Sequence, residues 1–291
     1  MKRFAILAVL VAVAAAGAVF GQAPQGGRQG GPPPAMLTIE QVKPGLYAIL
    51  NPGANTLAVR VTSEGVLIVD DMFERNYEDI IRLVKTVTDQ PVKYVVSTHH
   101  HGDHTGGNAK MLQHATIVGH KNARAAMVKG NQPGPPPVTY ANEAAIHLGG
   151  AEVQLHHVGR GHTNGDTIVY FPDLRVMATG DLFVVLPRVP AIDYTNGGTS
   201  LEWLTTIDNI MKFDFDVVVP GHGPVSKKED LARFKQRFMT VQSRTRELIR
   251  KGVPKDQYLK QLKVDDLGWE LVPGPFVNNA AGPFYDEMSR N

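Results

Sequence analysis

Residues 98–107 read Thr-His-His-His-Gly-Asp-His-Thr-Gly-Gly, so four of the chain's 11 histidines fall beside an aspartate in one short stretch. The stretch directly follows an apolar, valine-rich run that predicts a buried strand. Residues two apart point to the same side of a strand end, so His99 and His101 can aim their imidazoles at one point. A bend at Gly102 then brings Asp103 and His104 toward a second point. The pattern predicts a metal site at the end of a strand.

Three further residues are placed to complete this site. His162 lies in "GRGHTNGD", Asp181 in "ATGDLF" and His222 in "VVVPGHGPV", each on a glycine-containing loop beside a strand-like segment. Metal ligands are best held on loops that rigid strands support. Imidazole and carboxylate ligands without cysteine suit zinc, with iron or manganese as alternatives. The chain contains no cysteine, which excludes thiolate ligands and disulfides.

The remaining histidines are predicted to play no part in metal binding. His100 alternates away from its neighbours, and we expect it to support the loop. The others lie at strand or loop edges without ligand partners and are expected to pack or to contact solvent: His114, His120, His147, His156 and His157.

Strand-like and helical segments alternate along the rest of the chain. Strands are predicted within 37–72 and at 92–98, 115–120, 152–158, 167–171, 175–179 and 216–220, and helices at 73–89, 121–129, 200–212 and 227–251. Thr199 and Glu202 have the spacing of a capping box. Residues 130–141 predict a Pro/Gly loop that could border a cleft, and 252–291 contain another helical segment with no assigned role. This order favours two packed sheets with helices outside.

The ordered set His99-x-His101-x-Asp103-His104, His162, Asp181 and His222 resembles the motif series of the metallo-β-lactamase superfamily. The resemblance covers about residues 40–225 and implies an α/β fold, the αββα sandwich, in which two mixed sheets with outer helices carry two Zn²⁺ ions at one end. It implies that His99, His101 and His162 hold one ion, that Asp103, His104 and His222 hold the other, and that Asp181 bridges them. Asp70, at the end of "VLIVDD", resembles that family's first motif, a structural aspartate beside the site. The domain is expected to span 37–291.

The resemblance also implies a dinuclear zinc hydrolase in which a metal-bound hydroxide cleaves a carbonyl ester, lactone or amide bond of a small molecule. Asp103 is placed to orient the nucleophile and to act as the catalytic residue. Loop 183–198 follows Asp181 and is expected to overhang the metals. Within it, Arg188 could bind a substrate carboxylate and Tyr194 could donate to an oxyanion.

Other functions remain open on the sequence alone. A β-lactamase is favoured by export and by the His104-containing second site, whereas Asp181 looks more like the lactonase and glyoxalase branches of the family. The same ligands hold iron in oxidoreductases of this fold. Segment 227–251 is rich in Lys and Arg, which a nucleic-acid enzyme would use, but a solvated helix face explains it better. No nucleic-acid partner is therefore predicted, and the oligomeric state is left undetermined.

The first residues predict export. Lys2 and Arg3 precede a nearly unbroken apolar run, Phe4 to Phe20, which is followed by small residues, so 1–21 reads as a cleaved signal peptide. An uncleaved membrane anchor is the alternative, but the run is short for one and lacks a basic flank behind it. Residues 22–36 predict a flexible Gly/Pro-rich tether. We expect a protein of the bacterial periplasm that has no stable membrane association after cleavage.

Overall fold

The computed structural model describes residues 36–52 and 54–290. The predicted signal peptide and all of the predicted tether except Met36 lie outside this part of the chain. Within it, no helix combines the length and the apolar character needed to cross a bilayer.

Seven strands from the first half of the chain form one mixed sheet, in sequence order. They are Thr38–Lys43 (β1), Leu46–Leu50 (β2), Thr56–Val61 (β3), Val66–Val69 (β4), Val92–Ser97 (β5), Thr116–His120 (β6) and Val138–Tyr140 (β7). β1 to β4 pair antiparallel, and β4 to β7 pair parallel. β4 and the second half of β5 are fully buried and rich in β-branched residues, which is typical of strands covered on both faces.

Six strands from the second half form the other sheet, in the order β13-β12-β11-β10-β9-β8. They are Glu143–Leu148 (β8), Ala151–His156 (β9), Ile168–Phe171 (β10), Val176–Ala178 (β11), Val217–Val219 (β12) and Ser226–Lys227 (β13). β11 and β12 pair parallel and the other neighbours antiparallel.

Helices cover the outer faces of both sheets. They are Tyr77–Lys85 (α1), Gly102–Thr105 (α2), Asn108–Met111 (α3), Lys121–Lys129 (α4), Ser200–Met211 (α5), Lys228–Arg250 (α6), Tyr258–Gln261 (α7) and Ala281–Ser289 (α8). One apolar cluster joins the inner faces of the two sheets, a second joins the first sheet to α1, and a third joins the second sheet to α5, α6 and α8. The predicted αββα sandwich is therefore confirmed.

The C-terminal region, to which the sequence assigned no role, is part of the core. Beyond α7 it continues through a π-helical turn, Phe276–Ala280, into α8. Trp269 and Phe284 are buried in the third cluster together with Trp203 of α5 and Phe238 of α6. The aromatic side chains of this region complete the outer layer of the second sheet.

Two local predictions were wrong. Val138–Tyr140 forms a strand inside the predicted loop 130–141, because its backbone extends beside β6. The predicted capping box does not form, since the side chain of Thr199 makes no capping hydrogen bond and Glu202 binds Arg160. The Ser200 amide instead donates to Glu287 of α8 over 3.1 Å.

The two sheets meet along the edge where several strands end. β4 and β5 run parallel in one sheet, as do β11 and β12 in the other, and the carboxyl ends of parallel strands share an edge. Backbone bonds join the sheets here, because the Thr56 amide donates to the Gly221 carbonyl over 2.8 Å. Within the loops of the first sheet, the side chain of Asn55 donates to the Asp103 carbonyl. This edge brings together loops that are far apart in sequence.

Candidate metal centre

Three imidazoles converge at this edge, here called the first triad: His99, His101 and His162. His99 follows β5, His101 is the N-cap residue of α2, and His162 lies in the connection between β9 and β10. The Nδ1 atom of His101 lies 3.1 Å from Nε2 of His99 and 2.9 Å from Nε2 of His162. These three nitrogens are spaced as ligands of a single cation would be.

A second convergence, the second triad, lies beside the first and comprises Asp103, His104 and His222. The Nε2 atoms of His104 and His222 are 3.4 Å apart. Oδ2 of Asp103 lies 3.3 Å from Nε2 of His222 and 3.6 Å from that of His104. His222 reaches the site from the loop after β12, so each triad draws on both sheets.

The carboxylate of Asp181 lies between the triads. Its Oδ1 is 3.2 Å from Nε2 of His104 and 3.3 Å from that of His222, and its Oδ2 is 3.5 Å from Nε2 of His162. Glycines make this approach possible, because a Cβ on Gly221 would overlap Oδ1 of Asp181. Gly180 has φ +50, and a Cβ there would collide with Thr98. The structure therefore brings all seven predicted ligands together.

Acceptors behind the first triad fix which ring nitrogen faces the site. Nδ1 of His162 donates to the Ala191 carbonyl over 2.9 Å, and Nε2 of His101 donates to Oδ2 of Asp193 over 3.0 Å. The Thr98 hydroxyl donates to Asp70, so it accepts from Nδ1 of His99. In each imidazole the other ring nitrogen carries no proton, and its lone pair points toward the other two imidazoles of the triad.

Asp70 supports the second triad. Its carboxylate, 3% exposed, accepts from Nδ1 of His104 over 2.8 Å and from the amide and hydroxyl of Thr98. Nδ1 of His222, in contrast, is buried without a hydrogen-bond partner among the described residues. The position of Asp70 behind the histidine loop agrees with the structural role that the resemblance implies.

The donor set fits metal ions. Lone pairs of neutral imidazoles at about 3 Å repel one another unless a cation lies between them. Oδ1 of Asp181 is likewise buried without a hydrogen bond of good geometry among the described residues, although it lies 3.2 and 3.3 Å from the two imidazoles of the second triad. Nitrogen and carboxylate oxygen ligands in two adjacent groups are the ligands of zinc or iron sites.

The two triads differ in their electrostatics. Burial lowers the pKa of His162 to about 4, which keeps this imidazole neutral. Burial acts in the same direction on His104 and His222, but nearby carboxylates outweigh it, raising the pKa of His104 well above its usual value and that of His222 to about 9. Burial favours the protonated form of Asp103, yet the same imidazoles hold the pKa of its carboxyl at about 2. The carboxylates around the second triad therefore favour positive charge at that position.

A cavity of about 420 Å³ opens onto both triads. Arg188, Leu186 and Pro190 of loop 183–198 form one wall, and Phe73 and Pro275 contribute from elsewhere. The loop therefore overhangs the site, as its position after Asp181 predicts. Arg188 makes no ion pair with any described carboxylate.

Tyr194, the other residue predicted to contact substrate, is placed differently. It lines a separate cavity beside His101 and Asp193, of about 280 Å³. Its hydroxyl donates to Oε2 of Glu287 over 2.6 Å. This contact occupies the hydroxyl proton that the sequence prediction assigned to an oxyanion, so Tyr194 is not placed to donate to a substrate.

The histidines outside the triads make structural contacts. His100 is buried, with Nε2 3.2 Å from Oδ2 of Asp193. His157 stacks on His120 with ring centroids 4.2 Å apart, and its Nδ1 donates to the Asp166 carbonyl. Loop 130–141 does not line the cavity above the triads.

Asp193 is the functional residue that sequence reasoning missed. Hydrogen bonds from His100, His101 and Asn196 overcome the effect of burial and hold its pKa far below its usual range. Its only local signal is the segment "DYTNGG", in which an aspartate caps a short turn that ends at Gly197 with φ +73. That signal predicts a turn but gives no reason to expect contact with His101.

Comparisons with known proteins agree with this site. Residues 51–222 match the family model of the metallo-beta-lactamase superfamily. Metallo-beta-lactamase type 2 of Bacillus cereus is 29% identical over 57% of this chain and 66% of its own length. The 2,4-dinitroanisole O-demethylase subunit alpha of Nocardioides sp. (strain JS1661) is 27% identical over 64% of this chain and 57% of its own. The aligned part thus spans somewhat less than two thirds of either relative.

The fold has solved counterparts. The structure of a metallo-beta-lactamase from Pontibacter korlensis superposes with a TM-score of 0.63, at 23% identity, over 70% of this chain and 99% of that one. The DIM-1 metallo-beta-lactamase superposes with a TM-score of 0.62 at 21% identity. Since the family model covers more than half of the chain, including all seven converging side chains, this protein belongs to the metallo-beta-lactamase superfamily.

Proposed function

We propose that this superfamily member is a dinuclear zinc hydrolase that cleaves an ester, lactone or amide bond in a small molecule carrying a carboxylate. The observation that carries the proposal is the convergence of two triads on the shared carboxylate of Asp181. A single structural zinc would need only one closed set of four ligands. Two adjacent sets beside an open cavity favour catalysis.

In this proposal the first triad would hold one ion and the second triad the other, and the carboxylate of Asp181 would be available to both. When bound, such ions lower the pKa of water toward neutrality and polarise a carbonyl oxygen. The protein's own part is to fix the ligands, shape the cavity and place charged groups around the reacting bond.

Asp103 would orient the attacking water. Its side chain is 28% exposed, which makes it more accessible than Asp181 at 12%. Against the effect of burial, the neighbouring imidazoles of His104 and His222 hold the pKa of the Asp103 carboxyl at about 2, so the side chain is ionised at neutral pH. We therefore assign Asp103 to accepting a hydrogen bond from the nucleophile and not to storing its proton.

Arg188 would set the substrate class. It is half-buried in the cavity wall and has no carboxylate partner among the described residues. A guanidinium in such a position suits bidentate binding of a carboxylate. Leu186, Val184 and Pro190 would contact the apolar part of the same substrate.

A β-lactamase is the second candidate. Three of the sequence relatives are named metallo-beta-lactamase type 2, from Bacillus cereus, Bacillus sp. (strain 170) and Elizabethkingia meningoseptica. A β-lactam antibiotic contains both a cyclic amide bond and a carboxylate. The position of Arg188 in the cavity wall suits binding of that carboxylate. The O-demethylase relative shows that the sequence similarity alone does not choose between these substrates.

A hydrolysis panel tests the proposal. The mature protein, loaded with Zn²⁺, would be assayed on nitrocefin, N-acyl homoserine lactones, aryl esters and phosphodiesters, with and without a chelator. We expect chelator-sensitive turnover of an acyl substrate, with nitrocefin separating the two candidates. Protein purified without added metal would be analysed for zinc, iron and manganese. Iron as the bound metal together with no turnover of any panel member would contradict the proposal and favour an oxidoreductase.

We also propose that the protein is exported to the periplasm and cleaved near residue 21. The support is the basic and then apolar sequence of its first residues. N-terminal sequencing of the protein recovered from a periplasmic fraction would test this. A chain that still began at Met1 and remained in the membrane pellet would contradict it.

A further inference from the structure

We propose that Glu287 of the C-terminal helix is a positioning residue that holds the first triad in its metal-binding geometry. The inference rests on the proposed function in one respect, since it takes the first triad to be a metal site. It concerns a region that lies outside the part of the chain matching the family model, which ends at His222.

The carboxylate of Glu287 accepts hydrogen bonds from three residues at the beginning of α5 and in the loop before it. Oε2 accepts from the Tyr194 hydroxyl over 2.6 Å and from the Ser200 amide over 3.1 Å. The hydroxyls of Thr199 and Ser200 also donate to the carboxylate. Glu287 thus takes the place of the capping side chain that α5 lacks, and its negative charge suits the positive end of that helix.

Tyr194 links this contact to the triad. It follows Asp193 directly, and Asp193 accepts from Nε2 of His101 over 3.0 Å. Two residues earlier, the Ala191 carbonyl accepts from Nδ1 of His162 over 2.9 Å. A single segment, 191–194, therefore supplies the acceptors that orient two of the three imidazoles.

Two other contacts also fix this segment, because Ile192 is buried in the third cluster and Nε2 of His100 lies 3.2 Å from Oδ2 of Asp193. The Asp193 amide donates to the His162 carbonyl, and the Asn164 amide donates to the Asn196 carbonyl, so the loop is tied mainly to the loop that carries His162. Glu287 anchors both to a helix whose Phe284 is fully buried in the core. Helix capping alone would need only the Ser200 amide, so the bond from Tyr194 points to a second role for the carboxylate.

The test measures Zn²⁺ affinity directly, by competition with a chromophoric chelator at a temperature far below unfolding. A His222→Ala background would leave the first triad as the site measured. Within it, Glu287→Gln removes the charge and Tyr194→Phe removes only the hydroxyl. The matched controls lie on the same helix. Asp286→Asn removes the neighbouring carboxylate, which binds Lys255, and Tyr285→Phe removes a hydroxyl that donates to the Val253 carbonyl.

We expect Glu287→Gln and Tyr194→Phe each to weaken Zn²⁺ binding about tenfold, the lower end of the effect of removing outer partners of metal ligands. The controls should change it less than about twofold. Because the two residues act through one contact, the double variant should lose little more than either single variant.

Glu287→Gln affinity equal to that of Asp286→Asn would overturn the inference, even if its melting temperature fell. If Glu287→Gln did not fold, Tyr194→Phe would decide the matter against Tyr285→Phe in the same way. If the His222→Ala parent bound no Zn²⁺, the metal proposal itself would fail, and the inference with it. If the His222→Ala parent bound Zn²⁺ and the Glu287→Gln and Tyr194→Phe variants bound it equally well, the inference about Glu287 would fail. The metal proposal would stand.

Discussion

At the scale of single residues, the seven candidate ligands differ most in the hydrogen bonds that fix each side chain on the side away from the metal site. His104 and the three imidazoles of the first triad are each fixed by an acceptor on the far ring nitrogen. Asp103 is fixed through its backbone, by the side chain of Asn55, and its carboxylate remains partly exposed to the cavity. A side chain positioned in this way can serve a substrate as well as an ion.

We predict that Asp103→Ala lowers kcat/KM by at least about a hundredfold and weakens metal binding at the second triad, because both the orienting carboxylate and a ligand are lost. Circular dichroism should be unchanged, since the residue lies outside the apolar clusters. Asp89→Ala, at an exposed aspartate remote from the site, is the control. Turnover near the wild-type rate would refute the assigned role.

Arg188→Ala should raise KM for substrates that carry a carboxylate and leave kcat nearly unchanged, because a uniform binding contact is lost. The loss of a hydrogen bond to a charged group is worth about 1.5–3 kcal/mol, or about 10- to 100-fold in KM. Paired neutral and carboxylate-bearing esters would measure it, with Arg250→Ala as an exposed control. An equal change for both esters would contradict a carboxylate contact.

At the scale of the elements, the site depends on short loops that leave no room for added atoms. We predict that Gly180→Ala reduces the free energy of unfolding by about 1 kcal/mol for its left-handed backbone and by about 1–3 kcal/mol more for the collision with Thr98. Gly252→Ala is a matched control, because it has φ +77 but no atom within 4 Å of the added Cβ. Urea unfolding of both variants would give the difference, and equal losses would contradict a packing constraint.

The elements that could be predicted from the sequence are those with a strong period or a clear boundary. Helices 200–212 and 227–251 are confirmed as Ser200–Met211 and Lys228–Arg250. The cap of α5 could not be predicted, because it comes from Glu287, 87 positions away from Ser200 in the chain. The strand Val138–Tyr140 could not be predicted, because the prolines before it indicate a loop. It is a strand only because its backbone pairs with β6.

At the scale of the whole molecule, the three apolar clusters contain none of the seven candidate ligands, so the fold should survive metal removal. We predict that a chelator lowers the melting temperature on the order of 10 °C, because an ion present at 1,000 times its dissociation constant stabilises by about 4 kcal/mol and each kcal/mol is worth about 2–4 °C. Calorimetry with chelator alone and with chelator already saturated with zinc would measure this. An unchanged melting temperature would argue against resident ions.

The candidate site was easier to predict than its surroundings. Its seven side chains lie in loops and short helical turns that follow strands, where residue type and position in the sequence are informative, and the structure places them together. Asp193 and the C-terminal segment act through tertiary contacts that leave no periodic signal. Trp269, Phe276 and Phe284 are separated by loops, so nothing in their spacing indicated that they share one core.

Each triad takes two members from the chain before residue 105 and its third from beyond residue 160. Neither half of the polypeptide therefore holds a complete triad. If the proposed ions are bound, tight binding during folding would have to wait until the two sheets have paired along the edge where Thr56 contacts Gly221. The ions would thus bind late in folding. They would stabilise a sandwich that has already assembled and would not nucleate it.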